Sequence, residues 1–207
     1  STARPAKPAE TDVSLKALIE ADWIDRDLRF SAEKSGAKAG AAASTAVPSA
    51  TTREDAAGAC DGLKNGRYGF HTASGETDPW WQVDLGAMAS LDRMLIYNRC
   101  DEFAPRNRAI IVLVSDDAAA WRQVYQHDGT VFYGQSDGKP LSVALTGQQA
   151  RYVRLQLPGT SYFHLDEVEV FAAGGPANIA LGKPATQSSV SQWSERHTGT
   201  AAQVPAY

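Results

Sequence analysis

Arg99, Asp101 and Arg106 stand within a ten-residue stretch, Tyr-Asn-Arg-Cys-Asp-Glu-Phe-Ala-Pro-Arg, that runs from Tyr97 to Arg106. Two guanidinium groups present N–H donors in rigid planar forks, and a carboxylate between them can hold one fork in place. That equipment suits gripping sugar hydroxyls or an anion. It equally suits a solvated turn whose Arg and Asp pair only with each other, and residue types alone leave both readings open. The apolar run Leu95-Ile96-Tyr97 precedes the stretch and Ala109–Val114 follows it. The pattern predicts a charged, proline-containing turn between two strands.

Other chemistry finds little support. Asp116-Asp117 and Asp166-Glu167 are adjacent pairs. Neighbours on a strand point to opposite faces, so neither pair can flank one glycosidic bond. His71, His127, His164 and His197 stand in no nucleophile motif, and no glycine loop cradles a phosphate. Cys60 and Cys100 could form one disulfide or remain two thiols, and no Cys or His spacing resembles a zinc site. The sequence is read as non-enzymatic.

Composition sets outer bounds. The 207 residues are 43% hydrophobic and 21% charged, ordinary for a globular protein with a real core. A net charge of −4 argues against nucleic acid as a partner. No apolar run approaches the roughly 18 residues of a transmembrane helix. No charged-then-apolar leader stands at Ser1, so a secretory signal is absent or already removed.

The elements that must position these residues can be read in order. Residues 1–40 form an N-terminal region: a Pro- and Ala-rich lead-in, one amphipathic helix over Ser14–Phe30, and a polar linker. From residue 41 to 173 the character is all-β. Short runs punctuated by Gly, Pro, Asp and Asn predict strands at Ala42–Val47, Trp81–Leu85, Asp92–Tyr97, Ile110–Ser115, Arg122–Tyr125, Leu141–Ala144, Arg151–Leu157 and Glu167–Phe171. Period-two alternation puts Trp81, Val83 and Leu85 on one face, and sets Val153, Leu155 and Leu157 opposite Tyr152, Arg154 and Gln156. About eight such strands predict an antiparallel β-sandwich with binding loops at its ends. Gly174–Pro176 reads as a linker, and residues 174–207 as either the start of a truncated second repeat or a tail that packs back.

Residues 57–171 resemble the discoidin-like, galactose-binding-like domains, a superfamily that includes the F-type (fucose-binding) lectins, coagulation-factor C-type domains and bacterial carbohydrate-binding modules. The resemblance rests on four ordered blocks. They are Ala-Cys-Asp-Gly at 59–62, His71-Thr72 followed by Pro-Trp-Trp-Gln-Val-Asp-Leu-Gly at 79–86, Tyr-Asn-Arg-Cys-Asp at 97–101, and His-Leu-Asp-Glu-Val-Glu-Val-Phe at 164–171. Asn178–Ser189 is similar to the opening strand of such a domain. What the resemblance implies is a jelly-roll sandwich with ligand loops at one end.

It further implies a glycan ligand, a fucose- or galactose-type sugar read by His71 and by Arg99-x-Asp101-x4-Arg106. A pyranose ring also needs an apolar face to stack on, for which Tyr68, Phe132 and Tyr133 are the first candidates, with Phe70, Tyr162 and Phe163 behind them. Trp80, Trp81 and Trp121 are assigned to packing. The resemblance implies a structural calcium as well. Its ligands would be Asp61 and Glu167, with Thr72 and the carbonyls of Gly58, Leu63 and Asp166 completing a shell of oxygens. The expected setting is extracellular or cell-surface, attached to further domains. An adhesion module on the same fold, or an accessory domain of a glycan-processing enzyme, stand as alternatives.

Overall fold

One long strand, β1 (Trp80–Tyr97), threads both sheets of the sandwich in the computed structural model, which describes residues 50–197. Its first half pairs antiparallel with β5 (Gln149–Gln156), from Trp80↔Gln156 to Ser90↔Gln149. Its second half pairs with β4 (Leu141–Ala144) on one side and β6 (Glu167–Ala172) on the other. The changeover falls at a register shift between Asp84 and Ala89. There Gly86 takes φ +88 and its N–H donates to Asp84 Oδ1 at 2.8 Å. A left-handed residue followed by exposed Ala87 and Met88 bends the strand out of one sheet into the other.

The larger sheet continues outward from β5 through β2 (Ile111–Ser115) to β3 (Arg122–Gln126). Period-two alternation does what it predicts. Trp81, Val83 and Leu85 are buried, as are Val153, Leu155 and Leu157, while Tyr152, Arg154 and Gln156 lie on the outer face. Trp81 is wholly enclosed beside Phe70, and its indole donates to the Ala56 carbonyl at 2.9 Å. Truncation to alanine would cost about 3–5 kcal/mol. Trp80 and Trp121 instead sandwich the Arg154 guanidinium on the outer face, at 4.3 and 4.0 Å.

Seven antiparallel strands are described, with little helix, in the discoidin-like sandwich that the blocks imply. Three readings change. Trp81–Leu85 and Asp92–Tyr97 are two ends of one bent strand. The charged stretch is not a hairpin turn, because β5 separates β2 from the first half of β1 and the stretch crosses from one sheet to the other. A short helix, α1 (Thr52–Ala56), was not anticipated, although its capping box marks it: Thr51 and Glu54 exchange side chain-to-backbone hydrogen bonds at 2.8 and 3.2 Å. The helix expected at Ser14–Phe30 and the strand expected at Ala42–Val47 lie outside the described residues.

Residues 178–197 belong to this sandwich. β7 (Ala185–Gln187) pairs with β1 in register Trp81↔Gln187 to Val83↔Ala185. Asn178 bridges Phe171, and the Ile179 N–H donates to the Val170 carbonyl. Among the described residues no helix is long and apolar enough to cross a membrane.

Candidate functional site

The Tyr97–Arg106 turn is held from beneath by two fully buried asparagines. The Asn98 side-chain amide donates to the carbonyls of Ala104 and Phe132 at 2.9 and 3.0 Å, and its backbone N–H donates to Tyr133. Asn107 donates to Asn98 Oδ1 at 2.6 Å and to the His164 carbonyl. Clamped at both ends, the residues between have little freedom to lose on binding. Arg99, with only 8% of its side chain exposed, gives a bidentate pair to Asp101: Nε to Oδ1 at 2.6 Å and Nη2 to Oδ2. The Arg99 Nη1 edge is left without a partner among the described residues. Burial pushes the Asp101 carboxyl up, but the Arg99 fork, the Phe103 N–H and Arg106 together hold it below the usual carboxylate range.

Pro105, in the short 3-10 segment Ala104–Ala109, starts the turn that carries Arg106. Phe103 lies beneath both guanidiniums, 4.9 Å from Arg99 and 4.4 Å from Arg106. Arg99 also covers Tyr68 at 5.2 Å, and Arg106 covers Tyr162 at 5.1 Å. Those two tyrosines meet His71 edge-on, at 5.3 and 5.1 Å. The structure therefore gathers His71, Arg99, Arg106 and Tyr68 around one place, with Asp101 orienting Arg99.

The protonation of His71 follows from its partners. Its Nδ1 lies 2.9 Å from the Thr72 carbonyl, which can only accept, so the proton is on Nδ1. Burial pushes the imidazole down to about 4, and the charges of Arg99 and Arg106 add to that effect against the Thr72 hydrogen bond. At neutral pH the ring is uncharged and its Nε2 lone pair is an acceptor. His164 lies behind it, tilted, at 5.2 Å, wholly buried and held well below its ordinary value by that burial and by the charges of His71, Arg99 and Arg106.

One candidate ring turns inward. Phe132 is 8% exposed and turns its ring into the core against His127. It and Tyr133 meet the turn through their carbonyls. Three neighbours had not been singled out for this role: Phe103, His164 as the backing of His71, and Trp193. Trp193 lies 5.0 Å from His71 and 5.6 Å from Tyr162, and is 41% exposed. The available signal was a lone aromatic in the polar run Ser-Val-Ser-Gln-Trp-Ser-Glu.

A second constellation lies where the Asp61 loop meets β6. Glu167 is fully buried; its Oε1 accepts from the Gly62 N–H at 3.1 Å and its Oε2 has no partner among the described residues. Burial, reinforced by Asp61, pushes this carboxyl up to about 9. A Cβ on Gly69 would lie 2.3 Å from the Gly58 carbonyl oxygen and 2.6 Å from that of Asp166, so two expected ligand oxygens flank a space only glycine permits. Asp61 Oδ1 accepts from Leu63, and its Oδ2 lies 3.7 Å from His197 Nδ1. Thr72 stands apart: its hydroxyl accepts from Phe163 and its carbonyl from His71. Among the described residues no three His, Cys, Asp or Glu side chains converge as a cage. A hard cation with mainly carbonyl ligands nonetheless fits the orphaned Glu167 oxygen.

The pattern of the F5/8 type C domain matches residues 40–168. The chain belongs to the F5/8 type C domain family. Among curated relatives of this F5/8 type C chain, Fucolectin-6 of Anguilla japonica is 31% identical over 121 residues. The match covers 56% of this chain and 63% of that protein, so less than two thirds of the relative's length is spanned. Among solved structures, a fucolectin from striped bass (Morone saxatilis) serum is similar with 25% identity and a TM-score of 0.50, over 60% of this chain and 45% of that one. The lectin domain of lectinolysin, complexed with Lewis B antigen, is similar with 29% identity and a TM-score of 0.48, over 62% and 90%.

Proposed function

We propose that this chain is a lectin-like carbohydrate-binding module of the extracellular space, which holds a fucose- or galactose-type sugar at His71, Arg99 and Arg106. The observation that carries the reading is the pairing of opposite hydrogen-bond characters at one place. His71 offers an acceptor nitrogen, while Arg99 keeps a guanidinium edge that no described residue bonds. A sugar hydroxyl both donates and accepts, so it satisfies the two at once, whereas a simple anion leaves the His71 lone pair unmet. The fucolectin relatives and the serum origin of the bass lectin support the same reading.

The arrangement binds and does not transform. Ser191 Oγ lies 3.2 Å from His71 Nδ1, but that nitrogen already carries a proton directed at the Thr72 carbonyl and cannot take another from serine. As part of the same reading, a structural calcium is held by Asp61, Glu167 and the carbonyls of Gly58, Leu63 and Asp166. The ion would supply positive charge to two carboxylates and tie the Asp61 loop to β6.

Calorimetric titration with L-fucose and D-galactose tests the proposal. Binding of either, lost in Arg99→Ala at unchanged melting temperature, is the expected result. No sugar bound at tens of millimolar would end the carbohydrate reading.

A further inference from the structure

Hydrogen bonds from sugar hydroxyls mostly replace hydrogen bonds to water and contribute little net affinity, so a sugar site also needs an apolar wall. The rings around the polar groups are already engaged by cations. Tyr68 lies under Arg99, Tyr162 under Arg106, and Phe103 under both. Trp193 touches the rings of His71 and Tyr162, and among the described residues no cation covers it. It is the large exposed aromatic at the site, at 41%.

Its exposure is enforced by a fixed backbone. The Trp193 N–H donates to Ser191 Oγ at 3.1 Å, and Ser191 N–H to Ser194 Oγ at 2.9 Å. The Ser194 hydroxyl donates to the His71 carbonyl at 2.9 Å. Next in sequence, the Glu195 N–H donates to Asp55 Oδ1 at 2.7 Å. An indole left half open on a tightly bonded loop, against the neutral face of the site, forgoes burial that a slight rearrangement of a slack loop would recover.

Resting on the carbohydrate reading above, we propose that Trp193 is the specificity-determining wall of the site. Its ring stacks on the C–H face, or on a 6-methyl group, of a pyranose whose hydroxyls reach His71 and Arg99. The residue lies beyond the stretch matched by the family pattern, residues 40–168, so downstream sequence completes the site.

The test compares L-fucose with L-galactose, which differ only in whether carbon 6 carries a hydroxyl. Each is titrated calorimetrically into wild type, Trp193→Ala, Trp193→Gln and Trp193→Phe, with melting temperature as the folding control. Wild type should favour L-fucose. Trp193→Ala and Trp193→Gln should lose tenfold or more for L-fucose and bring the two sugars to within about threefold, while Trp193→Phe stays near wild type. Unchanged L-fucose affinity in a folded Trp193→Ala or Trp193→Gln overturns the wall while leaving the module a sugar binder. Wild type that binds neither of these sugars nor D-galactose overturns both readings.

Discussion

Asp55 accepts a hydrogen bond from the backbone of Glu195, 2.7 Å away and 140 residues later in the chain. The same carboxylate, 1% exposed, accepts from the His71 N–H at 2.9 Å and from the Gln187 side chain at 2.8 Å. It fastens α1, the His71 loop and the downstream segment to one point.

Asp55→Ala would therefore strand the donors of His71, Gln187 and Glu195. A loss of ~3 kcal/mol or more is expected. Denaturant unfolding should show the midpoint falling sharply, with sugar affinity falling alongside because His71 and Trp193 lose their shared anchor. A loss below ~1 kcal/mol would mean that water replaces the carboxylate.

Arg99→Lys keeps the charge but gives up the bidentate pair to Asp101 and the planar contacts with Tyr68 and Phe103. A point charge cannot reproduce a rigid fork. Affinity for the bound sugar should drop tenfold or more by calorimetry, with the melting temperature shifted by only a few degrees. Near-native affinity would reduce Arg99 to a source of charge.

The His71 environment predicts a specific pH dependence. Its folded value of about 4 lies below the ordinary 6.5, so between those values the unfolded chain binds the extra proton. Stability from this group is complete above about 6.5 and is lost as pH falls toward 4, on the order of 3 kcal/mol in all. Sugar binding should stay flat from pH 7.5 to 5 and fail near 4. An affinity midpoint near 6.5 would show that a charged imidazole is being titrated and that the acceptor assignment is wrong.

If calcium occupies the Glu167 cradle, chelation should lower the melting temperature, and the ion at a hundredfold its Kd should restore about 2.7 kcal/mol. Glu167→Gln should melt at one temperature with or without calcium. A wild-type midpoint indifferent to chelator would remove calcium from the account.

Much of this architecture was legible because it is local. Alternation placed Trp81, Val83, Leu85, Val153 and Leu155 inside, since a strand offers two faces and one is buried. Arg99, Asp101 and Arg106 were found because their spacing lies within one turn. The bend in β1 was hidden because exposed Gly86, Ala87 and Met88 read as a loop between two strands. The hairpin reading failed for a related reason: which strand lies beside β1 is decided by β5, far along the chain. Phe132 and Trp193 lie otherwise than their settings suggested. Phe132 sits in a Gly- and Asp-rich loop yet packs inward on His127, while Trp193 lies in a segment that resembles the opening of another domain yet closes on this one. Neither outcome is encoded within a few residues.

The bond between Asp55 and Glu195 also sets a clock. During synthesis on the ribosome, α1, β1 and the Arg99 turn emerge well before their last partner. At about 5–20 residues per second, the 140 residues between Asp55 and Glu195 take on the order of ten seconds to make. Over that interval the Trp81–Val83 edge of β1 has no β7 beside it, and His71 has neither Ser191 nor Trp193 against it. The candidate site is thus among the last parts of the described domain to be completed, once the downstream segment has left the tunnel.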